Sequence, residues 1–351
     1  MTEDVVIRSE GAAGRITLNR PKALNALNQP MTDAITAALI RWRDDDHIKH
    51  VVIDGAGGRA FCAGGDIRAV YDLIPIDPGV PRAYWRAEYR LNAMIARYGK
   101  PYVAVMDGYC LGGGVGLAAH GSHRIVTERS QVGMPETAIG FTPDVGGSWL
   151  LARAPGHAGE YMAATAYRMN AADAIYAGFA DTAIRAEDIP AFVSALCEGQ
   201  DASAAARRFA TTPGTGELAA CRTDIDIAFG AETIQEAVRR LEAKRGPWSE
   251  ETLKKISGHS PTALAAAHFS VRKVRGFKSV EESIDHEYRY AHRAVGLHDF
   301  REGVRALLVD KDGKPHWRPA RLDDVRLSDV AALFAPLGKD ELGLAARSMA
   351  S

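Results

Sequence analysis

The chain has 351 residues, 43 Lys and Arg against 44 Asp and Glu, and a formal net charge of −1. That length buries a sizeable core without a disulfide or metal staple, and the near-balance of charge leaves no global field for nucleic acid or an anionic membrane. The 34 glycines stand out: about one residue in ten, where about 7% is usual.

Val5–Arg8 and Arg15–Asn19 alternate around Gly11–Gly14 and predict a hairpin. Asn28 and Pro30 open a helix whose apolar positions are Met31, Ile35, Ala38, Leu39 and Trp42. Val51–Ile53 predicts a strand running into a glycine-rich loop over 54–66. A helix over Tyr84–Tyr98, a strand over Tyr102–Met106 and a second glycine-rich loop over 107–116 follow, the loop leading into another helix. The next strand, Arg124–Thr127, turns toward Val132. Strand, glycine loop, helix thus occurs twice, and Val52-Ile-Asp-Gly55 returns as Val105-Met-Asp-Gly108, 53 positions on. This is a weak internal repeat of an α/β unit. From about Ala158 the chain turns alanine-rich and amphipathic. Ile225–Lys244, Pro261–Arg275 and Val280–Val295 predict helices, and Thr212-Pro-Gly-Thr-Gly216 predicts a loop. A boundary near residue 200 separates a core, 1–200, from a helical region, 201–351, packed on it.

Cys62, Cys110, Cys197 and Cys221 are too far apart for a CxxC site and read as reduced thiols. The N-terminus MTEDVVIRSE carries no secretory or transit pattern, and the longest apolar run, around Ala34–Ile40, is too short to span a bilayer. A cytoplasmic protein without membrane or nucleic-acid partners is expected.

Gly55-Ala-Gly57-Gly-Arg-Ala60 matches G-x-G-x-x-A, but Phe61-Cys-Ala-Gly-Gly65 holds the chain in loop where a dinucleotide site needs a helix. Gly146-Gly-Ser148 begins like a nucleophile elbow without its final glycine, so Ser148 reads as a surface serine. The clusters at Gly64-Gly65 and Gly112-Gly113-Gly114 could each aim a backbone N–H at a developing oxyanion, or could simply be tight strand–helix turns; the two readings are even. Glu136 follows Pro135, and Asp144 follows Thr142-Pro143, with Thr142 read as the cap of a helix through Ala152. Acids at helix N-termini are favoured by the macrodipole, the plainer account of both; the sharper one makes them a catalytic pair. Glu88 lies on the apolar stripe of the Tyr84–Tyr98 helix, so it either pairs with an arginine or lines a cavity. His120-Gly-Ser-His123 has no metal-ligand spacing and reads as surface or capping residues.

Asn19-Arg-Pro-Lys-Ala-Leu-Asn-Ala-Leu27, Ala60-Phe-Cys-Ala-Gly-Gly-Asp66, Gly108-Tyr-Cys-Leu-Gly-Gly-Gly114 and Pro135-Glu136 together resemble the crotonase (enoyl-CoA hydratase/isomerase) superfamily. Met134-Pro-Glu-Thr-Ala-Ile-Gly140, Pro143-Asp-Val-Gly-Gly147 and the late stretch His298–Asp312 with Pro315 and Trp317 resemble its 3-hydroxyisobutyryl-CoA hydrolase branch most. The resemblance implies an α/β fold: a spiral of ββα turns with a C-terminal helical region. It also implies hydrolysis of a short 3-hydroxyacyl-CoA thioester, with 3-hydroxyisobutyryl-CoA of valine catabolism as the expected substrate. Coenzyme A arrives as part of the substrate, so no separate cofactor and no metal is expected.

On the same resemblance, Gly65 and Gly113 match oxyanion-hole positions, which tips the even choice toward function. Glu136 matches a catalytic glutamate shared with hydratases, and Asp144 the aspartate of the hydrolase branch. Glu88 matches a substrate-pocket glutamate, with Gly64 and Asp66 beside the acyl group. Lys22, Ala23, Leu24, Ala63, Ile67, Arg68 and Lys311 are the candidates for coenzyme A itself, although the three cations read equally as solvated surface charges. Gly116 stands where hydratases carry their second catalytic glutamate, which counts against hydration. An enoyl-CoA hydratase or isomerase and a non-catalytic acyl-CoA-binding protein are the alternatives. Such relatives commonly form trimers; a homo-oligomer and a monomer both stay open.

Overall fold

The computed structural model describes residues 4–345. β1 (Val5–Glu10) and β2 (Ala13–Leu18) form the expected hairpin, turned at Gly11 and Ala12 with Gly11 at φ 55°. β3 (His50–Gly55) and β4 (Ala60–Cys62), β5 (Tyr102–Met106) and β6 (Tyr109–Leu111), and β7 (His123–Val126) and β8 (Gln131–Gly133) are successive pairs; β9 (Arg168–Met169) and β10 (Thr182–Ala183) are two-residue strands. One sheet has the order β1-β2-β3-β5-β7-β10 and the other β4-β6-β8-β9. Each pair therefore adds one strand to each sheet, which is the ββα winding that the resemblance implied. β3, β5 and β7 run parallel, and their buried stretches, Val51–Ile53, all of β5 and Ile125–Val126, are continuously apolar, as strands covered on both faces must be.

The 53-residue repeat is not the spatial register. Val52 lies opposite Val103, and Ile53 opposite Ala104. What repeats is the way the strands end: Asp54 is held by Arg15 at 2.5 Å, and Asp107 by Arg129 and, at 2.6 Å, Thr127. Gly55–Ala60 is the turn from β3 into β4, so the G-x-G-x-x-A stretch opens no helix.

The chain forms two compact units, neither of them one continuous stretch. The first takes in the described residues through Asp66, Arg90–Gly133 and Met169–Glu217. Its core joins Val52, Val103, Val105 and Ile125 of the larger sheet to Phe192, Leu196 and Ala205 of the helices Ile189–Cys197 and Ala202–Phe209. The helix Gln29–Arg43 starts where Asn28 accepts the Met31 N–H at 3.0 Å, and its buried stripe ends on Trp42. That indole lies against Gly14, where a Cβ would come within 2.5 Å of the ring.

The second unit comprises Ile67–Tyr89, Met134–Arg168 and the described residues from Leu218 on. Its helix Pro261–Val274 packs on Gly147–Arg153 and Ala158–Thr165, with small residues at the contacts. The helix expected over Ile225–Lys244 is two, Arg222–Phe229 and Ile234–Lys244: Gly230-Ala-Glu232 breaks it and Thr233 caps the second through the Glu236 N–H. Pro261–Val274 and Val280–Ala294 match expectation. Among the described residues no helix is long and apolar enough to cross a membrane.

Candidate active site

In the first unit the loop after β4 is tied to the segment 20–27. The Leu27 N–H donates to Gly64 O and the Asp66 N–H to Leu27 O, both at 2.8 Å, which makes a parallel bridge between Leu27 and Gly65. Buried Asn25 donates to Ala56 O at 3.0 Å and Ala60 O at 2.8 Å, and Arg20 pairs with Asp66 at 2.9 Å. The second glycine cluster turns at Gly112 (φ 51°, ψ −118°), a conformation closed to other residues, into the helix Gly113–Ala118. Gly113 is its first residue, so its N–H has no acceptor within the helix. Gly64, at φ 110°, lies beside that amide: a Cβ there would sit 3.2 Å from Leu111 O and 3.7 Å from Gly113 N. Gly114 passes so close to β4 that a Cβ would meet Cys62 O at 2.3 Å. The glycine excess thus lets backbone lie on backbone around the two candidate amides.

In the second unit four of the buried carboxylates, Glu88, Glu136, Asp144 and Glu287, bear on one another. Glu136 opens the 3-10 turn Glu136–Ile139, whose Gly140 (φ 73°) lies so near the helix His298–Val304 that a Cβ would strike Asp299 O at 2.2 Å. Gly303 meets the same turn, a Cβ there coming 2.4 Å from the Ile139 carbonyl. Much of the late stretch of resemblance therefore serves to seat the Glu136 turn. Phe141, between the two acids in sequence, stacks on Trp85 (centroids 5.5 Å apart) and packs on Phe300 and Tyr290, which keeps water off this segment. Asp144 accepts a 2.6 Å hydrogen bond from the Tyr89 hydroxyl, itself fully buried.

Asp144 is followed by two left-handed residues, Val145 (φ 53°) and Gly146 (φ 78°). For a β-branched residue this is rare and costs about 1–3 kcal/mol. The helix begins only at Gly147, and no side chain at its own N-terminus caps it; Thr142 is not the cap. Glu287, on the helix Val280–Ala294, takes that place. Its carboxylate accepts from the Gly146 N–H at 2.7 Å and the Ser148 N–H at 2.9 Å, and from the Ser283 hydroxyl at 3.1 Å. Ser148 is not a surface serine: it is fully buried, and its hydroxyl bonds Pro143 O and Ser270.

Burial pushes all four acids up. Asp144 is raised to about 7, with the Tyr89 hydrogen bond holding it down. Glu136 is raised well above the carboxylate range by burial and then by the Asp144 charge, and Glu88 likewise, with Tyr84 donating to it. Burial takes Glu287 to about 8. Asp144 is thus poised near neutrality beside Glu88 and Glu136, both pushed up by burial and then by its charge. One oxygen each of Glu88 and Glu136 has no partner.

Of the expected site residues, Gly64, Gly65, Asp66 and Gly113 belong to the first unit with Lys22, Ala23, Leu24 and Ala63, where the Ala63 N–H donates to Leu24 O at 3.0 Å. Glu88, Glu136 and Asp144 belong to the second with Ile67, Arg68 and Lys311. Lys22, Arg68 and Lys311 are exposed, and Arg68 pairs with Asp72 and reaches Leu308 O. Glu88 is buried as its stripe position predicts, with Tyr84 rather than an arginine as partner. His123 bonds Ser203, and among the described residues no group of His, Cys, Asp or Glu is arranged to hold a metal ion. Tyr89 and Glu287 escaped the sequence reading. Glu287 has the signal that exposed Glu88: it shares a helical stripe with Tyr290, Ala291 and Ala294, all buried.

The family model "Enoyl-CoA hydratase/isomerase" matches residues 13–334. The chain belongs to that family. Among curated family members, it is 38% identical to "3-hydroxyisobutyryl-CoA hydrolase, mitochondrial" of Xenopus laevis, across 97% of this chain and 90% of that protein. It is 37% identical to the protein of the same name from Homo sapiens, over the same shares. Among solved structures, a carnitinyl-CoA dehydratase from Mycobacterium thermoresistibile superposes with a TM-score of 0.93 at 42% identity, covering 97% of this chain and 98% of that one. An enoyl-CoA hydratase from Rhodobacter sphaeroides 2.4.1 does so at 0.90 and 45%, covering 97% and 99%. These likenesses put the fold in the crotonase class and the chemistry among acyl-CoA thioesters.

Proposed function

We propose that this chain hydrolyses 3-hydroxyisobutyryl-CoA to 3-hydroxyisobutyrate and coenzyme A. The observation that carries the reading is the end-to-end likeness to curated hydrolases of that name. In this reading the Gly65 and Gly113 amides take the thioester oxygen as it becomes an oxyanion. Glu136, in its ionised form, acts in one of two ways. It adds an oxygen to the carbonyl carbon, forming a mixed anhydride that water then opens, or it removes a proton from a water that adds there. In both, the C–S bond breaks, its electron pair leaves on the CoA sulfur, and the thiolate takes up a proton. Asp144, held by Tyr89, and Glu88 take the 3-hydroxyl. A site whose buried acceptors await a hydroxyl rejects acyl groups lacking one. Hydrolysis of this thioester would stand in valine breakdown. Four free cysteines fit a reducing compartment, which we take as the cytoplasm for this chain, whereas the curated relatives are named as mitochondrial.

The names of the two solved structures favour a second reading, addition of water to an enoyl-CoA. Gly116 opposes it: the position of the hydratases' second glutamate is a buried glycine within Gly113–Ala118. One paired assay decides. Thiol release from 3-hydroxyisobutyryl-CoA without hydration of crotonyl-CoA supports hydrolysis. Hydration alone supports the second reading, and neither reaction leaves an acyl-CoA-binding protein.

A further inference from the structure

Asp144 stands directly before a left-handed pair that its own sequence does not stabilise. Val145 is β-branched at φ 53°, Gly146 follows at φ 78°, and the helix after them has no side-chain cap of its own. What spans this turn is a carboxylate from 141 residues away: Glu287 takes the Gly146 and Ser148 N–H groups, one on each oxygen. The Ser283 hydroxyl, one helical turn back, also donates to it. Gly147 N–H closes the turn onto Asp144 O at 2.6 Å, so the segment that carries the Asp144 side chain is pinned from both ends. Glu287 has no exposed surface.

From this geometry we infer that Glu287 is a positioning residue, acting through the Val145–Gly146 turn and, once ionised, through its charge on Glu136. The inference rests on the hydrolase reading for its assay and deepens it. The charge acts within a closed set. The titratable groups facing Glu136 are Glu88 from the helix Gly79–Ala96, Asp144 ahead of the Val145–Gly146 turn and Glu287 from the helix Val280–Ala294. Every one of them is neutral or negative, so the negative charge of Glu287 can only hinder ionisation of its neighbours. Glu287→Gln keeps the size and one acceptor oxygen, loses the second, and removes the charge.

The test is the pH profile of thiol release by the full chain and by Glu287→Gln. Two results are expected together: a plateau kcat lower by tenfold or more with KM within threefold, and an acid limb of kcat moved to lower pH by at least half a unit. A limb that stays in place, as loss of a purely structural contact would leave it, overturns the inference; so does a plateau within twofold of the parent. If Glu287→Gln does not fold, the acid limb alone is compared between Val145→Gly and Val145→Gly/Glu287→Gln, where the left-handed turn needs no clamp and only the charge differs: a limb moved down by at least half a unit supports the inference, and an unmoved limb overturns it. A parent chain that releases no thiol overturns the hydrolase reading instead. The inference is then decided by the carboxyl-carbon NMR titration of Glu136, identified by its loss in Glu136→Gln. A midpoint at lower pH in Glu287→Gln supports it, and an unchanged midpoint overturns it.

Discussion

Asp144 is buried and accepts a 2.6 Å hydrogen bond from the Tyr89 phenol. A group placed to hold a substrate hydroxyl contributes to orienting the acyl group more than to binding the long coenzyme. Asp144→Gly is therefore expected to lower thioester hydrolysis by about a hundredfold or more, since an orienting contact is worth that much when misplaced, with acyl-CoA affinity within threefold. Stopped thiol release and isothermal titration with a non-hydrolysed analogue check the two halves. Gly64 tests the amides. Alanine there would be strained at φ 110° and would put a methyl 3.7 Å from Gly113 N. Losing one oxyanion donor costs about 10²–10³ in kcat. Gly64→Ala, which crowds the donor without deleting it, should lose about tenfold in kcat, read in the same assay.

At the scale of elements, whatever is governed locally was legible. The hairpin, the Asn28-capped helix and the strand Tyr102–Met106 follow from alternation, a cap and a buried apolar run, each settled within a few residues. The two-residue strands β9 and β10 carry no such signal, because only a distant partner makes them strands. The helix placed too early, with Thr142 as its cap, shows the same limit: its N-terminal amides at Gly146 and Ser148 are held by Glu287. Packing between elements gives a clean prediction at Gly14, where the first helix lays Trp42 on the sheet. Gly14→Ala should cost about 1–3 kcal/mol by overpacking, measured by urea denaturation. Gly99→Ala, with nothing within 4 Å of the new methyl, should stay within about 0.5 kcal/mol.

Over the whole molecule, burial of titratable groups makes stability depend on pH in opposite ways. Asp144 and Glu287 rise on folding to about 7 and about 8, so the folded state holds protons that the unfolded chain releases. Their contribution is present at low pH and is lost as pH climbs through those values. His268 and His286 fall to about 4 and about 3, the latter stacked 4.3 Å from Phe334, so their contribution is lost as pH falls below about 6.5. Above pH 6.5 the histidines are neutral in both states and only the acids act. The melting temperature is expected to fall between pH 6.5 and 8.5, by no more than the equivalent of about 2 kcal/mol per acid. The fall should shrink in Asp144→Asn. Differential scanning calorimetry measures both slopes.

The amino-acid sequence by itself determined the family motifs, the repeated strand, loop and helix unit, and the glycines that let backbones touch, each a property of residue type, spacing or local conformation; Glu88, Glu136 and Asp144 were singled out through the family resemblance. Only the tertiary structure decided how those acids are charged and held: Tyr89 is 55 residues from Asp144, and Glu287 is 141 from Gly146. Protonation and turn geometry in a dry interior depend on which groups the fold brings within about 3 Å of one another, and separation along the chain says nothing of that distance.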